Sequence, residues 1–310
     1  MTLVSVVLPT YKRAGTIARA VRSVLAQTHS ELELIIVDDG PDDGTAAIIG
    51  AIGDARVRYL RFPQRMGVSR ARNVGMDAAK GELIAFQDSD DEWRVEKLAR
   101  QVAAIQARPD ASLVGCGYFI PEDPGHSLLG MDAPESVVDI TSQVFSHLPG
   151  CQCWLTRRSA LKQAGDWDTT LDCFEDWELG VRLSLIGRVL LVNEPLVIKP
   201  MTPGSLFSDE HFARNLKRIL ARHEAHRRAH PKAWTYHTNL LAQSEALHGS
   251  MTEARRWFRE SIAGNPSGLR AWTSLVATFL GPHAFAFYLR SAKAFRARFP
   301  TPVRPRLAGG

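Results

Sequence analysis

The first half of the chain alternates short, almost uninterrupted apolar runs with stretches in which apolar residues recur every three or four positions. Residues 4–8, 32–37 and 57–60 are apolar runs that predict buried strands, and residues 112–120 and 151–155 predict two more. The stretches between the early runs predict helices. This alternation implies right-handed crossovers, so the sequence predicts an α/β fold with a doubly wound, mainly parallel, Rossmann-like sheet.

Three carboxylates follow the predicted strand 82–87 within four positions: Asp88, Asp90 and Asp91. Asp88 and Asp90 are two residues apart, so both side chains can face one divalent cation once the strand has ended. Hard cations such as Mg²⁺ take one or two carboxylates and complete their shell with water and phosphate oxygens. The cluster therefore indicates a metal site for a phosphate-bearing substrate. The alternative is a solvated loop that caps the helix predicted after Trp93.

Other polar residues also fall at the ends of predicted strands, where doubly wound sheets bind their ligands. Thr10, Asp38 and Asp39 hold such positions. The sequence contains neither the glycine-rich turn of dinucleotide dehydrogenases nor the phosphate loop of P-loop nucleotidases. Because an aspartate would repel a phosphate directly, these acids predict that a phosphate is held through a bridging metal.

A second acidic pair, Glu175 and Asp176, lies at the first turn of a predicted helix whose apolar face carries Leu179, Leu183 and Ile186. Acids at this position complement the helix dipole, which is one explanation for both residues. The functional explanation makes one of them a general base that removes a proton from an attacking hydroxyl. The residues alone leave both explanations open.

Charge is divided unevenly along the chain. From residue 211 onward there are 17 Lys and Arg against 4 Asp and Glu, a net charge of +13, whereas the preceding part carries −8. A basic region of this kind can contact anionic lipid, an acidic substrate or nucleic acid. No zinc-finger, RNA-binding or basic-zipper pattern accompanies it, so no nucleic-acid partner is expected.

The same basic region changes to a helical pattern, which predicts a main domain at residues 1–208 and a helical region at 209–310. Residues 240–266 loosely follow the spacing of a tetratricopeptide-like hairpin. A plain helical hairpin packed on the main domain explains this spacing better than a peptide-binding array. The final predicted helix, residues 282–298, mixes aromatic residues with Arg and Lys, which is compatible with peripheral contact with an anionic membrane. A solvated basic face over a small core is an equal alternative.

Composition indicates the compartment. The chain leads almost directly into an apolar strand, and no apolar run approaches the roughly 18 residues of a membrane span, so neither a secretory signal nor a spanning helix is predicted. Four cysteines, Cys116, Cys151, Cys153 and Cys173, are too few and too irregularly spaced for a disulfide framework or a four-ligand zinc site. The sequence therefore predicts a cytoplasmic protein, with peripheral contact at the inner face of the plasma membrane compatible with the basic region.

Five segments, taken together and in this order, resemble the motifs of the family 2 glycosyltransferases: residues 6–11 (VVLPTY), 36–40 (IVDDG), 71–73 (ARN), 88–91 (DSDD) and 175–176 (ED). The resemblance spans about residues 3–206. It implies the GT-A fold and an inverting transfer of a sugar from a nucleoside-diphosphate sugar, with a UDP-sugar favoured, to an acceptor hydroxyl. The implied acceptor is a saccharide or a lipid-linked sugar, in bacterial cell-surface polysaccharide or glycolipid synthesis.

The resemblance also implies roles for individual residues. Asp176 would be the catalytic base, with Glu175 beside it, and Asp88 and Asp90 would bind Mn²⁺ or Mg²⁺. The residues implied to bind the donor are Pro9, Thr10, Tyr11, Asp38, Asp39, Arg72, Asn73, Asp88, Ser89 and Lys199.

The sequence departs from the family pattern at one position. Thr202 stands where many relatives carry a His, so a metal ligand or a diphosphate contact is either missing or supplied by Lys199. Two other function classes stay open. A metal-dependent nucleotidyltransferase would normally carry a glycine- and lysine-rich loop, of which residues 10–15 are a poor version. An inactive scaffold would bind a partner through the helical region, and the retained acids argue against it.

Overall fold

The structure is a computed structural model that describes residues 2–128, 133–201, 209–225 and 229–298. Within these residues the strands form one nine-stranded sheet. The strands are β1 (Val4–Thr10), β2 (Leu32–Asp38), β3 (Val57–Arg61), β4 (Leu83–Phe86), β5 (Glu92–Trp93), β6 (Ala111–Phe119), β7 (Val137–Asp139), β8 (Leu155–Arg157) and β9 (Arg188–Ile198). The helices are α1 (Ile17–Leu25), α2 (Thr45–Ile52), α3 (Val68–Ala78), α4 (Lys97–Ala107), α5 (Arg158–Ala164), α6 (Glu175–Ser184), α7 (Asp209–Arg222), α8 (Pro231–His248), α9 (Met251–Gly264), α10 (Leu269–Ala277) and α11 (Pro282–Arg298).

The sheet has the order β3-β2-β1-β4-β8-β6-β9-β5, and β7 pairs with β9. The pairs among β1, β2, β3 and β4 are parallel, as is the pair of β6 with β9. The strands β5, β7 and β8 pair antiparallel with their neighbours. The predicted α/β class, with its doubly wound sheet and helical C-terminal region, is therefore confirmed, and the antiparallel strands lie in the second half of the sheet.

Helices on both faces explain why the early strands read as continuous apolar runs. Every residue of β1 and β2 is buried. The register of this pair sets Thr10 opposite Asp38, so the two strands deliver their last residues to the same edge of the sheet.

One local prediction was wrong, and one alternative explanation is excluded. The strand predicted at residues 151–155 begins only at Leu155, because Cys151–Cys153 forms a single 3-10 turn. The acid cluster does not cap α4. Instead the chain passes through β5, which pairs with β9, and α4 begins at Lys97 with Glu96 at its N-cap.

Helix α3 lies close against β1 because Gly75 has no side chain. A Cβ atom at this position would lie 2.3 Å from Cγ1 of Val7. We expect Gly75→Ala to lower the free energy of unfolding by about 1–3 kcal/mol, through overpacking. The measurement is urea denaturation. The matched control is Gly50→Ala in α2, where a Cβ meets nothing within 4 Å and helix propensity predicts a gain of up to about 1 kcal/mol. Equal effects of the two substitutions would contradict the packing argument.

Contacts divide the chain into two compact units, Met1–Leu171 with Glu175–Ser205, and Asp172–Phe174 with Leu206–Gly310. The second unit contains the helices α7 to α11. Its small core consists of Ala242, Ala246, Ala254, Phe258, Ala277 and Phe285. None of the helices in the described part of the chain combines the length and the apolar character needed to cross a bilayer.

Candidate active site

A buried arginine on α3 joins the two acidic segments. Arg72 is 5% exposed, its Nη2 donates to Oδ1 of Asp88 at 3.3 Å, and its Nη1 donates to Oε1 of Glu175 at 2.8 Å. Asp88 follows β4, and Glu175 is the first residue of α6. One guanidinium thus connects the acid cluster at the end of β4 with the first turn of α6, and the two predicted chemical centres lie side by side.

The next residue of α3 fixes the loop that follows α5. The side-chain amide of Asn73 donates to the carbonyl oxygen of Trp167 at 3.1 Å, and its oxygen accepts from the Trp167 amide at 2.9 Å. The guanidinium of Arg72 lies over the Trp167 ring, 4.6 Å from its centre. Asn73, predicted to contact the donor, therefore positions Trp167, which in turn supports Arg72. Sequence reasoning missed this role of Trp167, and its setting between Asp166 and Asp168 was the one available signal.

Asp176 follows Glu175 in the first turn of α6. Its Oδ1 accepts a hydrogen bond from the backbone amide of Trp177 at 2.7 Å. Burial, and after it the neighbouring carboxylate of Glu175, raise the pKa of Asp176 to about 6, although Arg72 acts in the opposite direction. A carboxylate with this pKa is ionised at neutral pH and is more basic than an ordinary aspartate. These are the properties that a general base needs.

Asp91 is the most enclosed member of the acid cluster, with 4% of its surface exposed. Burial raises the pKa of Asp91 to about 8, and the carboxylates of Asp88 and Asp90 add to the effect, whereas the ammonium group of Lys199 opposes it. Nζ of Lys199 lies 3.6 Å from Oδ2 of Asp91. Lys199, predicted to contact the donor, is thus brought to the acid cluster by β9. Thr202 lies outside the described residues.

Two arginines from the first helix and the loop before it bind the middle of the cluster. Nη2 of Arg13 lies 3.4 Å from Oδ2 of Asp90, and Arg19 donates to the backbone carbonyl of Asp90 at 2.7 Å. Neither arginine was predicted to belong to the site. For Arg13 the only signal was the basic character of residues 10–15, a poor match to a phosphate loop, and Arg19 carried no such signal.

The cluster fits a hard divalent cation, although the described residues contain no group of three or more His, Cys, Asp or Glu that could hold a metal ion. Such a cation needs only one or two carboxylates when a diphosphate and water complete its shell. The side chains of Asp88 and Asp90 are 29% and 24% exposed, so a ligand can reach them. Oδ2 of Asp91 is buried, and among the described residues its cationic partner is Nζ of Lys199 at 3.6 Å, too far for a hydrogen bond. A cation nearby would relieve the mutual repulsion of these carboxylates.

A cavity of about 490 Å³ opens beside the ends of the early strands. Its lining residues are Tyr11, Asp39, Gly40, Pro41, Arg61, Phe62, Pro63, Gln64 and Arg65. The guanidinium of Arg65 lies 4.5 Å from the centre of the Tyr11 ring. The volume of the cavity, and the Tyr11 ring beside the charged Arg65, are typical of small-molecule sites that accept a planar ring.

Asp38 and Asp39 are buried and organise the edge of this cavity. Asp38 accepts from the Tyr59 hydroxyl at 2.5 Å and from the Gly40 amide at 3.0 Å. Burial, followed by the bond to Asp38, raises the pKa of Tyr59. The two carboxylate oxygens of Asp39 accept from the backbone amides of Met66 and Gly67, at 2.5 and 2.7 Å. Each carboxylate oxygen has a second lone pair, so these bonds still leave capacity for a ligand.

The remaining predicted donor residues lie at the same edge of the sheet. Pro9 and Thr10 are the last residues of β1, and the hydroxyl of Thr10 is buried without a hydrogen-bond partner in the described part of the chain. Ser89 is 7% exposed, between Asp88 and Asp90. The structure thus brings together all the predicted site residues, but Asn73 is used by the protein itself.

Comparison with known proteins agrees with this architecture. The chain belongs to glycosyl transferase family 2, whose sequence model matches residues 5–165. It is 40% identical to the UDP-Glc:alpha-D-GlcNAc-diphosphoundecaprenol beta-1,3-glucosyltransferase WfaP of Escherichia coli over 123 aligned residues. The aligned stretch covers 40% of this chain and 49% of that protein. The chain spans about a third to a half of the length of this and several other curated relatives.

Solved structures establish the fold. The chain is similar to S. aureus TarS residues 1–349 in complex with UDP-GlcNAc, with a TM-score of 0.65 and 20% identity, over 84% of this chain and 81% of that one. It is also similar to the mannosyltransferase PcManGT of Pyrobaculum calidifontis in complex with GDP-Man and Mn²⁺, with a TM-score of 0.60 and 19% identity, over 92% and 86% of the two chains. The fold is therefore GT-A, as predicted.

Proposed function

We propose that this glycosyltransferase moves a sugar from a nucleoside-diphosphate sugar to an acceptor hydroxyl, with inversion at the anomeric carbon. The observation that carries the proposal is the pair of hydrogen bonds from Arg72 to Asp88 and Glu175. These bonds hold the acid cluster, which suits the diphosphate end of a donor, next to a carboxylate with the basicity of a general base. A single-displacement transfer needs these two centres on opposite sides of one reacting carbon.

In the proposed reaction Asp176 accepts the proton of the acceptor hydroxyl as that oxygen attacks the anomeric carbon. The attack comes from the face opposite the diphosphate, so the configuration inverts and no covalent enzyme intermediate forms. Arg72 keeps Glu175 and Asp88 in place. Lys199 supplies positive charge where the leaving diphosphate gains negative charge. When bound at Asp88 and Asp90, Mn²⁺ or Mg²⁺ would supply Lewis-acid neutralisation of that leaving group.

The cavity around Tyr11 and Arg65 is the proposed base site, with Asp38 and Asp39 at the ribose end and Thr10 beside them. A UDP-sugar is the favoured donor, and the UDP-dependent relative WfaP supports this choice. The acceptor in the name of WfaP is a sugar on a diphosphate lipid. A saccharide or lipid-linked acceptor in bacterial cell-surface glycan synthesis, at the cytoplasmic face of the membrane, fits the same proposal.

The rate of transfer should depend on pH through Asp176. A base must be deprotonated to accept a proton, so kcat/KM should be level above the pKa of about 6 and fall about tenfold per pH unit below it. The measurement is a pH–rate profile at constant ionic strength, with circular dichroism at each pH to show that the protein stays folded. A rate that does not fall between about pH 7 and about pH 5 would contradict the role of Asp176.

Calorimetric titration with UDP, GDP, CMP and dTDP, each with and without Mn²⁺, tests the donor site. We expect one nucleotide to bind, more tightly with Mn²⁺ than without it. Asp90→Ala should remove most of the Mn²⁺-dependent gain. Asp77→Ala, which removes an exposed carboxylate on α3, should bind like the wild type. A metal-dependent gain of equal size in the Asp90→Ala and Asp77→Ala proteins would count against the predicted ligand.

The titration and the reaction product also separate the alternatives. A nucleotidyltransferase would bind nucleotide with metal but would release a nucleotide-sugar, whereas the proposed enzyme releases a glycoside. An inactive scaffold would bind none of the four nucleotides with metal dependence. Product analysis by mass spectrometry of the reaction mixture distinguishes the first two outcomes.

A further inference from the structure

Helix α10 and the turn after it present an apolar face to solvent. Leu269, Trp272 and Val276 lie at positions i, i+3 and i+7, and Phe279 and Leu280 follow in the next turn. Their exposed fractions are 75%, 47%, 62%, 62% and 73%. At about 100° per residue the three positions in α10 fall within an arc of about 60°, and Phe279 and Leu280 lie in the 3-10 turn Thr278–Leu280. We call these five residues the α10 apolar face.

The opposite side of α10 accounts for its folding. Ala271, Ser274 and Ala277 are buried there, and Ala277 belongs to the core with Phe258 and Phe285. Leu275 also packs against this core, so the packed side carries one large apolar residue beside three small ones. The large apolar residues on the solvent side are unusual for a surface helix. Within their own unit, Trp272 donates to the carbonyl oxygen of Pro266 at 2.9 Å and the guanidinium of Arg255 lies 4.3 Å from the centre of the Phe279 ring. The face nevertheless stays largely exposed, and large exposed apolar patches mark interaction surfaces.

The charged residues that follow α9 in the sequence all have one sign. No Asp or Glu follows Glu260 in the chain, whereas seven Lys and Arg do. Phe287 of α11 adds an aromatic side chain that is 69% exposed, and Arg290 one turn later is exposed as well. The other described aromatic residues of α11 pack inward, since Phe285 is buried and Tyr288 contacts the core. The membrane contact predicted for residues 282–298 stays a prediction, and more exposed large apolar side chains lie in α10 and the turn after it than in the described part of α11.

We propose that the α10 apolar face docks onto a lipid bilayer that contains anionic lipid. Trp, Phe and Leu on one side of a helix, in a basic stretch of sequence, are typical of helices that lie in the membrane interface. The last fifty residues contain basic side chains and no Asp or Glu, a composition that favours an anionic headgroup layer. The proposal does not rest on the transfer chemistry, because none of these residues belongs to the candidate active site.

Flotation with lipid vesicles tests the proposal on the full chain. We expect binding to vesicles of phosphatidylglycerol and phosphatidylcholine in equal parts, and little binding to pure phosphatidylcholine. The double variant Leu269→Ser/Val276→Ser should lower the partition coefficient about tenfold or more, because two aliphatic side chains no longer enter the bilayer. The control is Leu185→Ser, which removes a leucine of the other unit that is 64% exposed and should leave binding unchanged.

Tryptophan fluorescence gives a second readout that does not require a loss of binding. The chain has seven tryptophans, and only those that enter the bilayer are quenched by brominated lipid. We expect quenching in the wild-type protein that disappears in Trp272→Phe, while the variant still binds. Absence of vesicle binding, equal binding by the double variant, equal binding to neutral vesicles, or quenching that persists in Trp272→Phe would overturn the proposal. Binding of an acidic protein in place of vesicles would do the same.

Discussion

Asp176→Asn is expected to lower kcat by about 10²–10⁴-fold, the usual cost of losing a general base, while nucleotide affinity stays nearly unchanged. The amide has the size of the carboxylate but cannot accept the proton of the acceptor hydroxyl. The measurement is the initial rate at saturating donor and acceptor, together with calorimetric titration of the nucleotide.

The same substitution should not weaken the fold. The pKa of Asp176 is higher in the folded protein than the ordinary value, so folding disfavours its charged form and removing the charge costs nothing at neutral pH. Thermal unfolding should therefore show an unchanged or higher midpoint. Asp166→Asn, at an exposed aspartate in the preceding loop, is the control and should keep the wild-type rate. An Asp176→Asn enzyme that retains most of its rate would mean that another group takes the proton.

Arg72→Met is expected to have the largest effect on stability, about 3 kcal/mol, because it leaves the partly buried carboxylates of Asp88 and Glu175 without their buried cation. Arg72 holds both Asp88 and Glu175 and its side chain is 6% exposed. It also lowers the pKa of Asp176. Without it that pKa rises, so the acid limb of the pH–rate profile should move to higher pH. Urea denaturation and the profile measure the two effects separately.

Arg188→Met is the matched control for Arg72→Met. Arg188 also faces two carboxylates, those of Asp110 and Asp139, but its side chain is 55% exposed. Exposed pairs contribute at most about 1 kcal/mol. If the methionine variant does not fold, Arg72→Lys replaces it in both measurements. Lysine keeps the positive charge but cannot bond two carboxylates with the fixed geometry of a guanidinium. Equal urea midpoints for Arg72→Met and Arg188→Met would show that the buried bonds do not stabilise the fold.

The parallel half of the sheet was predictable because its signal is local. The strands β1, β2 and β4 are mainly apolar runs, and acidic residues lie at or just after the ends of β2 and β4, namely Asp38 and Asp88. The strands β7 and β9 were not predicted. Their pairing joins distant segments, and the pairing of β9 with β6 contains register shifts around Gly117 that no short pattern encodes.

The connections inside the candidate site were beyond a sequence pattern for the same reason. Arg72 and Glu175 are 103 positions apart, and Asn73 and Trp167 are 94 apart. A spacing rule describes neighbours along one helix or strand, so it could not indicate the bond between Asn73 and Trp167. The donor role of Asn73, which the family resemblance implies, stays a prediction. The α10 apolar face could not be predicted from the sequence either. Apolar residues occupy both sides of that helix, and only the position of the core decides which side meets water.

The contacts of Arg72 and Asn73 with Trp167 affect which parts of the protein can unfold locally. Most proteins release loops by local unfolding at a small fraction of their total stability. Here the backbone of Trp167 is bonded to Asn73 while its ring carries Arg72, and α3 itself packs without a gap on β1 through Gly75. Local opening that frees the arginine would have to detach α3 from the sheet. We therefore expect local unfolding of the surface loops to leave the Arg72 guanidinium bonded to both carboxylates.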